Sequence, residues 1–362
     1  MIQFAFKRLF NGLLVMFGVI FIIFILFNVL PADPARMMLG QRADSASVAI
    51  INKDLGLDQP SYRRFFYYLN DLSPLSLHSG SSNSHIYFDP QKYKSARKLL
   101  ELSGDKLLIL KSPYLRRSYQ NKSEVSSILR EKIPDTAILA FAAILFATFF
   151  GIALGIISAL KQDTWIDRLA LSISISGVSL PSFFASVIFA WIFGFVLADY
   201  TGLDMTGGLF AVDPFEGEYL ALKNLILPAL VLGFRPLAII VQLTRSSMLE
   251  VLSQDYIRTA KAKGLNAITI INKHALRNAL NPVVTAISGW LGSLLAGAVF
   301  VEFIFGWNGI GKLTVTALEN YDMPVVMGIV LFISLVFIAL NILADLLNGV
   351  LDPRIRSFES GK

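Results

Sequence analysis

The sequence predicts an all-α polytopic membrane protein with about six transmembrane helices and a large extracytoplasmic region between the first two. Three observations predict it. Of the 362 residues 54% are hydrophobic and only 16% are charged, which is too apolar for a soluble chain of this size. Apolar runs long enough to cross a hydrocarbon layer, roughly 20 helical residues each, recur along the chain. The basic residues of the short connections fall on one side of those runs when six are drawn.

The first run, 9–30, follows Lys7 and Arg8 and superficially resembles a secretory signal. It is too long for a signal core, and Pro31-Ala32-Asp33-Pro34 is a poor cleavage site, so 1–31 is read as a cytoplasmic N-terminus and a retained first span. Residues 32–133 then form the extracytoplasmic region. Within it, Asp54 to Pro60 reads as a helix end and turn, and Tyr62 to Leu69 as an aromatic-rich helix. Ser76 to Ser84 reads as a loop, and Lys92 to Leu102 as a short amphipathic helix ending at Gly104, in all a soluble appendage rather than a second domain. This region carries about as many Lys and Arg as the rest of the chain, but loops beyond about 60 residues translocate largely regardless of charge.

A five-helix core, 134–350, follows, with spans at 134–160, 168–197, 224–247, 282–304 and 325–347 and a tail at 351–362. Lys161, Arg168, the cluster from Arg245 to Arg277, Arg354 and Arg356 share a side with Lys7 and Arg8. That side is the cytoplasm by the positive-inside rule, with both termini there.

Several chemistries are excluded. The absence of cysteine removes disulfides, thiolate metal sites and thiol catalysis. His78 and His85 lie outside and His274 inside, so neither a metal site nor a Ser/His pair forms within the spans, despite Ser176-Gly177. The net charge of +6 fits headgroup contact and orientation in the membrane lipid better than nucleic acid. Phe305 to Lys312 is rich in glycine, but no strand precedes it and no Lys-Ser/Thr pair stands in register, so it reads as a re-entrant or surface turn at the outer end of span five rather than a phosphate loop.

The excursion 249–281 between spans four and five is the most informative segment. Gln254 to Lys263 forms a short helix, with Asp255 near its positive end and Lys261 near its negative end, and Gly264 supplies a left-handed stop. A second amphipathic helix starts at Asn266, with Ile268, Ile271, Ala275, Leu276 and Ala279 on one face and Lys273, His274, Arg277 and Asn278 on the other. Asn281 caps span five, with Pro282 in its first helical position. Periodicity alone fits a helix lying on headgroups or a docking surface for a cytoplasmic partner.

Leu243 to Val251, Gln254 to Leu265 and His274 to Leu280 resemble the EAA loop of binding-protein-dependent ABC importer permeases, in the dipeptide/oligopeptide branch. The resemblance extends along the chain through Lys7-Arg8-Leu9, Pro31 to Pro34, Gly56 to Pro60, Leu180 to Phe184, Leu227 to Leu230, Gly297 to Glu302 and Asp352-Pro353-Arg354. Ala32 stands where the branch usually has Gly, Asn308 interrupts the usual Pro-Gly, and about 79–122 looks like an insertion.

The resemblance implies the type I ABC importer permease fold and a subunit that forms half a pathway for peptides or related small solutes. It implies a second homologous permease, two ABC ATPase subunits that hold ATP and Mg, and an extracytoplasmic solute-binding protein, with no cofactor or catalysis in this chain. Asp255, Tyr256, Arg258, Ala260, Lys261, Gly264, His274, Arg277 and Asn278 are the ATPase-coupling residues it implies. Arg235, costly in mid-span and followed by Pro236, is placed along the pathway with Pro181 and Glu302, the alternative for Arg235 being a charge neutralised by a neighbouring span. The rival functions are an ion-coupled secondary transporter, which wants acidic residues deep in its spans, and a membrane scaffold without transport.

Overall fold

The structure is a computed structural model that describes residues 2–29, 44–45, 48–49, 59–81, 84–90, 92–102, 105–215 and 217–351. Pro31 to Pro34, the turn from Asp54 to Asp58, the stop at Gly104 and the tail from Asp352 lie outside the described residues. The chain divides into two compact units, one of Met1–Leu9, Lys132–Val315 and Leu335–Lys362, the other of Phe10–Glu131 and Thr316–Ser334.

In the second unit, helix α1 (Ile2–Val29) is apolar over nearly its whole length and is long enough to cross a membrane between Arg8 and Phe27. Helix α2 (Ser61–Leu72) is strongly amphipathic and turns its aromatic stripe onto α1: Phe65 meets Phe17, Phe21 and Phe24 at ring distances of 5.1–6.3 Å. Strands β1 (Leu75–Ser79), β2 (Arg97–Leu102) and β3 (Lys106–Leu110) form an antiparallel sheet in the order β1-β3-β2, with Leu75 and Arg97 both opposite Leu110.

Two expectations are corrected here. The loop expected at Ser76 to Ser84 contains β1, and the helix expected at Lys92 to Leu102 is replaced by β2. A short segment such as Arg97–Leu102, with leucines set among charged residues, fits either period, and the decision falls to β3, whose backbone groups find partners on both edges only if its neighbours are extended.

The polar centre of this unit is Asp71, at the end of α2. Its carboxylate accepts from Tyr93 Oη at 2.8 Å, Arg116 Nε at 3.3 Å and Lys92 Nζ at 3.4 Å, and its carbonyl accepts from Lys111 Nζ at 2.5 Å. Burial alone raises the Asp71 pKa, but Arg116, Lys92 and the Tyr93 hydroxyl outweigh it and hold the carboxyl below the usual carboxylate range. Burial pushes the Lys111 ammonium down to about 8 against the pull of Asp71.

The first unit holds the remaining apolar helices: α3 (Val125–Leu160), α4 (Trp165–Ser179), α5 (Ser182–Trp191, prolonged by the π turn Ile192–Val196) and α6 (Ile226–Leu252). Beyond the excursion come α9 (Asn281–Gly297), α10 (Val299–Phe305), α11 (Ile310–Glu319) and α12 (Met323–Leu351). Segments of α3, α11 and α12 lie in the other unit, and the first residues of α1, to Leu9, belong to this one. Among the described residues four helices are long and apolar enough to cross a membrane singly, or up to six spans if each of the bent pairs α4/α5 and α9/α10 counts as one.

The straight span expected at 168–197 is therefore corrected: α4 and α5 meet at 113°. Pro181 has no amide hydrogen and pushes Leu180 out of the helical region, to ψ 125°. Pro134 and Pro236, by contrast, sit inside continuous helices. The all-α expectation is corrected by the sheet above and by a hairpin of β4 (Phe210–Asp213) and β5 (Gly217–Leu220).

Small residues bring the helices together. A Cβ on Gly151 would lie 2.7 Å from Ile240 Cγ2, on Gly155 2.5 Å from Thr244 Cβ, and on Gly233 2.7 Å from the Ala143 carbonyl. Helices α3 and α6 thus approach closely, as expected where packing rather than water drives association.

Candidate coupling and pathway site

Helix α7 (Asp255–Ala262) follows α6 after a two-residue break, with Gln254 in the extended N-cap conformation and Asp255 in the first turn. Ile257 and Ala260 face inward and are buried with Ala159 of α3, Met248 of α6, Ile270, Ala275 and Ala279. Asp255, Tyr256, Arg258 and Lys261 face outward. The Asp255–Arg258 pair, at 3.5 Å, is fully exposed on both sides and contributes little to stability.

Gly264 ends the helix with φ +79°. Its amide donates to the Lys261 carbonyl at 3.0 Å and the Leu265 amide to the Ala260 carbonyl at 3.3 Å, the paired bonds of a Schellman stop. A Cβ on Gly264 would meet nothing within 4 Å, so this glycine is required by conformation and not by space.

Helix α8 runs from Ala267–Thr269 through the π turns Ile270–Ala275 to Leu276–Ala279. The Asn266 side chain caps it, accepting from the Thr269 amide at 2.8 Å. The apolar face differs from expectation: Ile268 is 71% exposed, and Ile270 is buried in its place. The π turns align residues five apart, so Ile270 rather than Ile268 shares a face with Ala275. Asn281 is not the cap of span five, because the cap position falls on Leu280, whose backbone is already helical, and Asn281 opens α9 itself.

The structure brings three of the coupling residues together: Asn278 Nδ2 donates to Tyr256 Oη at 2.9 Å and to the His274 carbonyl at 3.3 Å. That link ties the outer face of α7 to α8. Arg277 and Lys261 stand apart on exposed surface.

Among the pathway residues, Arg235 is exposed and lines a cavity of about 80 Å³ with Leu180, Phe189 and Trp290, beside the bend at Pro181. Glu302 lies elsewhere and is fully buried. Its Oε1 accepts from Thr136 Oγ1 at 2.7 Å, and its Oε2 accepts from the amides of Gly311 at 2.7 Å and Lys312 at 3.3 Å. Both oxygens are occupied in holding the turn from Gly306 to Lys312. That turn is interior, with Trp307 fully buried and its Nε1 donating to the Asp135 carbonyl at 2.9 Å, and so is not the surface turn that was one expectation.

The sequence reading missed one constellation. Asp167, at the start of α4, is buried and accepts both arms of Arg245 from α6, each at 2.7 Å, together with Ser158 Oγ of α3 at 2.5 Å and the Asp163 amide at 3.0 Å. This bidentate clamp joins three helices, with Arg245 about two turns before the end of α6. Its only sequence signal is an acidic residue immediately before the span predicted at 168–197, and Arg245 was accounted for by orientation.

These features define a polytopic α-helical membrane protein whose excursion between α6 and α9 presents a braced, charged helix. Residues 151–357 match the family described as binding-protein-dependent transport system inner membrane component, and residues 1–80 match its N-terminal counterpart, so the chain belongs to that family of ABC importer permeases. It is 33% identical over 370 residues to the dipeptide transport system permease protein DppB of Alkalihalophilus pseudofirmus, covering 98% of this chain and 100% of that one. It is 32% identical to the glutathione transport system permease protein GsiC of Escherichia coli K12, covering 98% and 99%. An inward-facing structure of the MetNI methionine ABC transporter shares the fold over 63% of this chain and 97% of its own, at a TM-score of 0.50 and 16% identity.

Proposed function

We infer that this permease provides half of the translocation pathway for peptides or related small solutes and takes its motion from two ATPase subunits through α7 and α8. The observation that carries the reading is α7 itself: it anchors Ile257 and Ala260 in the ends of the spans, presents Arg258, Tyr256 and Lys261 outward, and is stopped rigidly at Gly264. A short capped helix so anchored transmits a push to the spans rather than absorbing it. The peptide class is supported by relatives named for dipeptide and glutathione transport.

A second permease of the same family completes the pathway, ATP and Mg belong to the ATPase subunits, and a solute-binding protein delivers cargo to the extracytoplasmic side. The excursion and both termini then lie in the cytoplasm, and 59–131 lies outside. Arg235, beside the bend at Pro181, faces the pathway and meets the cargo carboxylate; Glu302 acts by holding the turn that follows α10.

Co-purification tests the coupling. Gly264→Pro removes an amide that donates to Lys261 and forbids a positive φ, so the ATPase is lost from the complex while the permease still reaches the membrane. Uptake driven by a proton gradient without ATP overturns the reading in favour of a secondary transporter, and a complex that binds no ATPase and moves no solute leaves the scaffold. Unchanged uptake by a normally assembled Arg235→Ala complex in vesicles overturns the pathway role of Arg235.

A further inference from the structure

The unit containing Phe10–Glu131 holds a second cavity, larger than that at Arg235, of about 430 Å³. That is within the range of sites for small organic molecules. Its lining carries the buried carboxylate of Asp71 and four cations, Lys92, Arg116, Arg117 and Lys122. Asp71 is the sole carboxylate among the lining residues, and it is already committed to Tyr93, Arg116 and Lys92. Arg117 and Lys122, both exposed, make no ion pair among the described residues.

Two further observations point to an occupant. His78 lines the cavity at 1% exposure, and its Nδ1 has no hydrogen-bond partner among the described residues, although its Nε2 pairs with Ser76 Oγ at 3.1 Å. A buried polar atom left unpaired is expected to have a partner of some kind. Arg116 and Lys122 are held at φ +66° and +61°, a conformation disfavoured for both residue types, and both side chains line this cavity. Tyr67, Tyr93 and Tyr114 supply aromatic side chains to the same lining.

We propose that this cavity binds a small organic acid, its carboxylate held by Arg117, Lys122 and the free donors of Arg116 and its body against the tyrosine rings. The excess of cations rejects a free ammonium group, because Asp71 is already shared by three donors. The site shares no residue with the expected pathway set and does not rest on the peptide reading.

The test uses the full chain in lipid nanodiscs and titration calorimetry with N-acetylphenylalanine and its amide, N-acetylphenylalaninamide. The acid binds, and the amide binds at least about tenfold more weakly because it has no charge to pair. Arg117→Ala with Lys122→Ala, both on exposed surface, lowers affinity for the acid by about tenfold or more and leaves the unfolding temperature in place. Made in an Arg235→Ala background, the same double substitution still lowers acid affinity by about tenfold or more. Equal binding of acid and amide, or loss of binding on Arg235→Ala and not on the double variant, overturns the proposal. So does absence of acid binding, and inorganic phosphate binding as tightly as the acid removes the role of the rings.

Discussion

The turn from Gly306 to Lys312 and the excursion from Gln254 to Asn281 both depend on glycine and both carry lysine, yet they are built on opposite terms. In the turn, once Gly306 has ended α10 at φ +70°, space decides: a Cβ on Gly309 would overlap Thr136 Oγ1 and Glu302 Oε2, and Trp307 and Phe305 are sealed from solvent. In the excursion, conformation decides: Gly264 has open space around it and is required only for its positive φ. The turn is a packed polar network, where any change is felt as stability. The excursion leaves its charges exposed, where changes are felt little as stability and, on the proposed coupling role, are felt as function. Similar composition therefore predicts different mutational signatures.

The largest expected effect is in the turn. Glu302→Ala leaves the Gly311 and Lys312 amides and the Thr136 hydroxyl without their acceptor in the interior, and destabilises the protein by about 4 kcal/mol. Thermal unfolding in detergent measures it, and a loss no larger than that of an average surface substitution breaks the comparison. Asp167→Ala, which removes the buried carboxylate that holds the partly exposed Arg245 guanidinium, costs about 2 kcal/mol on the same measurement. Its helices α3, α4 and α6 loosen next to α7, so ATP hydrolysis in the assembled complex proceeds with less uptake per ATP.

Gly264→Ala is smaller, about 1 kcal/mol, because the strain of a left-handed residue is its only penalty. Smallest in stability, within about 0.5 kcal/mol, is Arg258→Glu on the exposed face of α7. Its signature is a loss of ATPase affinity of about tenfold or more, read by co-purification; an Arg258→Glu protein with normal ATPase binding would remove the functional half of the comparison.

A pH scan gives a third signature, from Lys111 in the other unit. Its ammonium titrates near 8 in the folded protein against 10.5 when unfolded, so the unfolded chain binds more protons between these values. Stability of that unit rises as pH increases from about 8 to 10.5, and Lys111→Met abolishes the rise.

What was legible in the sequence follows the length over which each signal is summed. Runs of about twenty apolar residues at 9–30, 134–160, 224–247 and 325–347 each overlap a long apolar helix, since a span is a bulk property of many side chains. The stop at Gly264 was legible because a helix that must end on a positive φ needs glycine, a rule written in one residue. The bend at Pro181 rests on an equally local rule, but Pro134 and Pro236 obey it without bending, so neighbours choose among them. The face of α8 was misplaced because a π turn shifts the register by one residue, and nothing in the apolar pattern marks it.

The sequence by itself thus determined that the chain crosses a membrane several times, where its charges gather and where its exposed helix stops, because these depend on residue type and spacing alone. Tertiary structure decided which residues meet. Glu302 finds Thr136 across 166 positions, Arg245 finds Asp167 across 78, and Arg116 finds Asp71 across 45. A buried carboxylate accepts whichever donors the packing of distant segments delivers, and that delivery is set by the shapes of helices meeting in three dimensions.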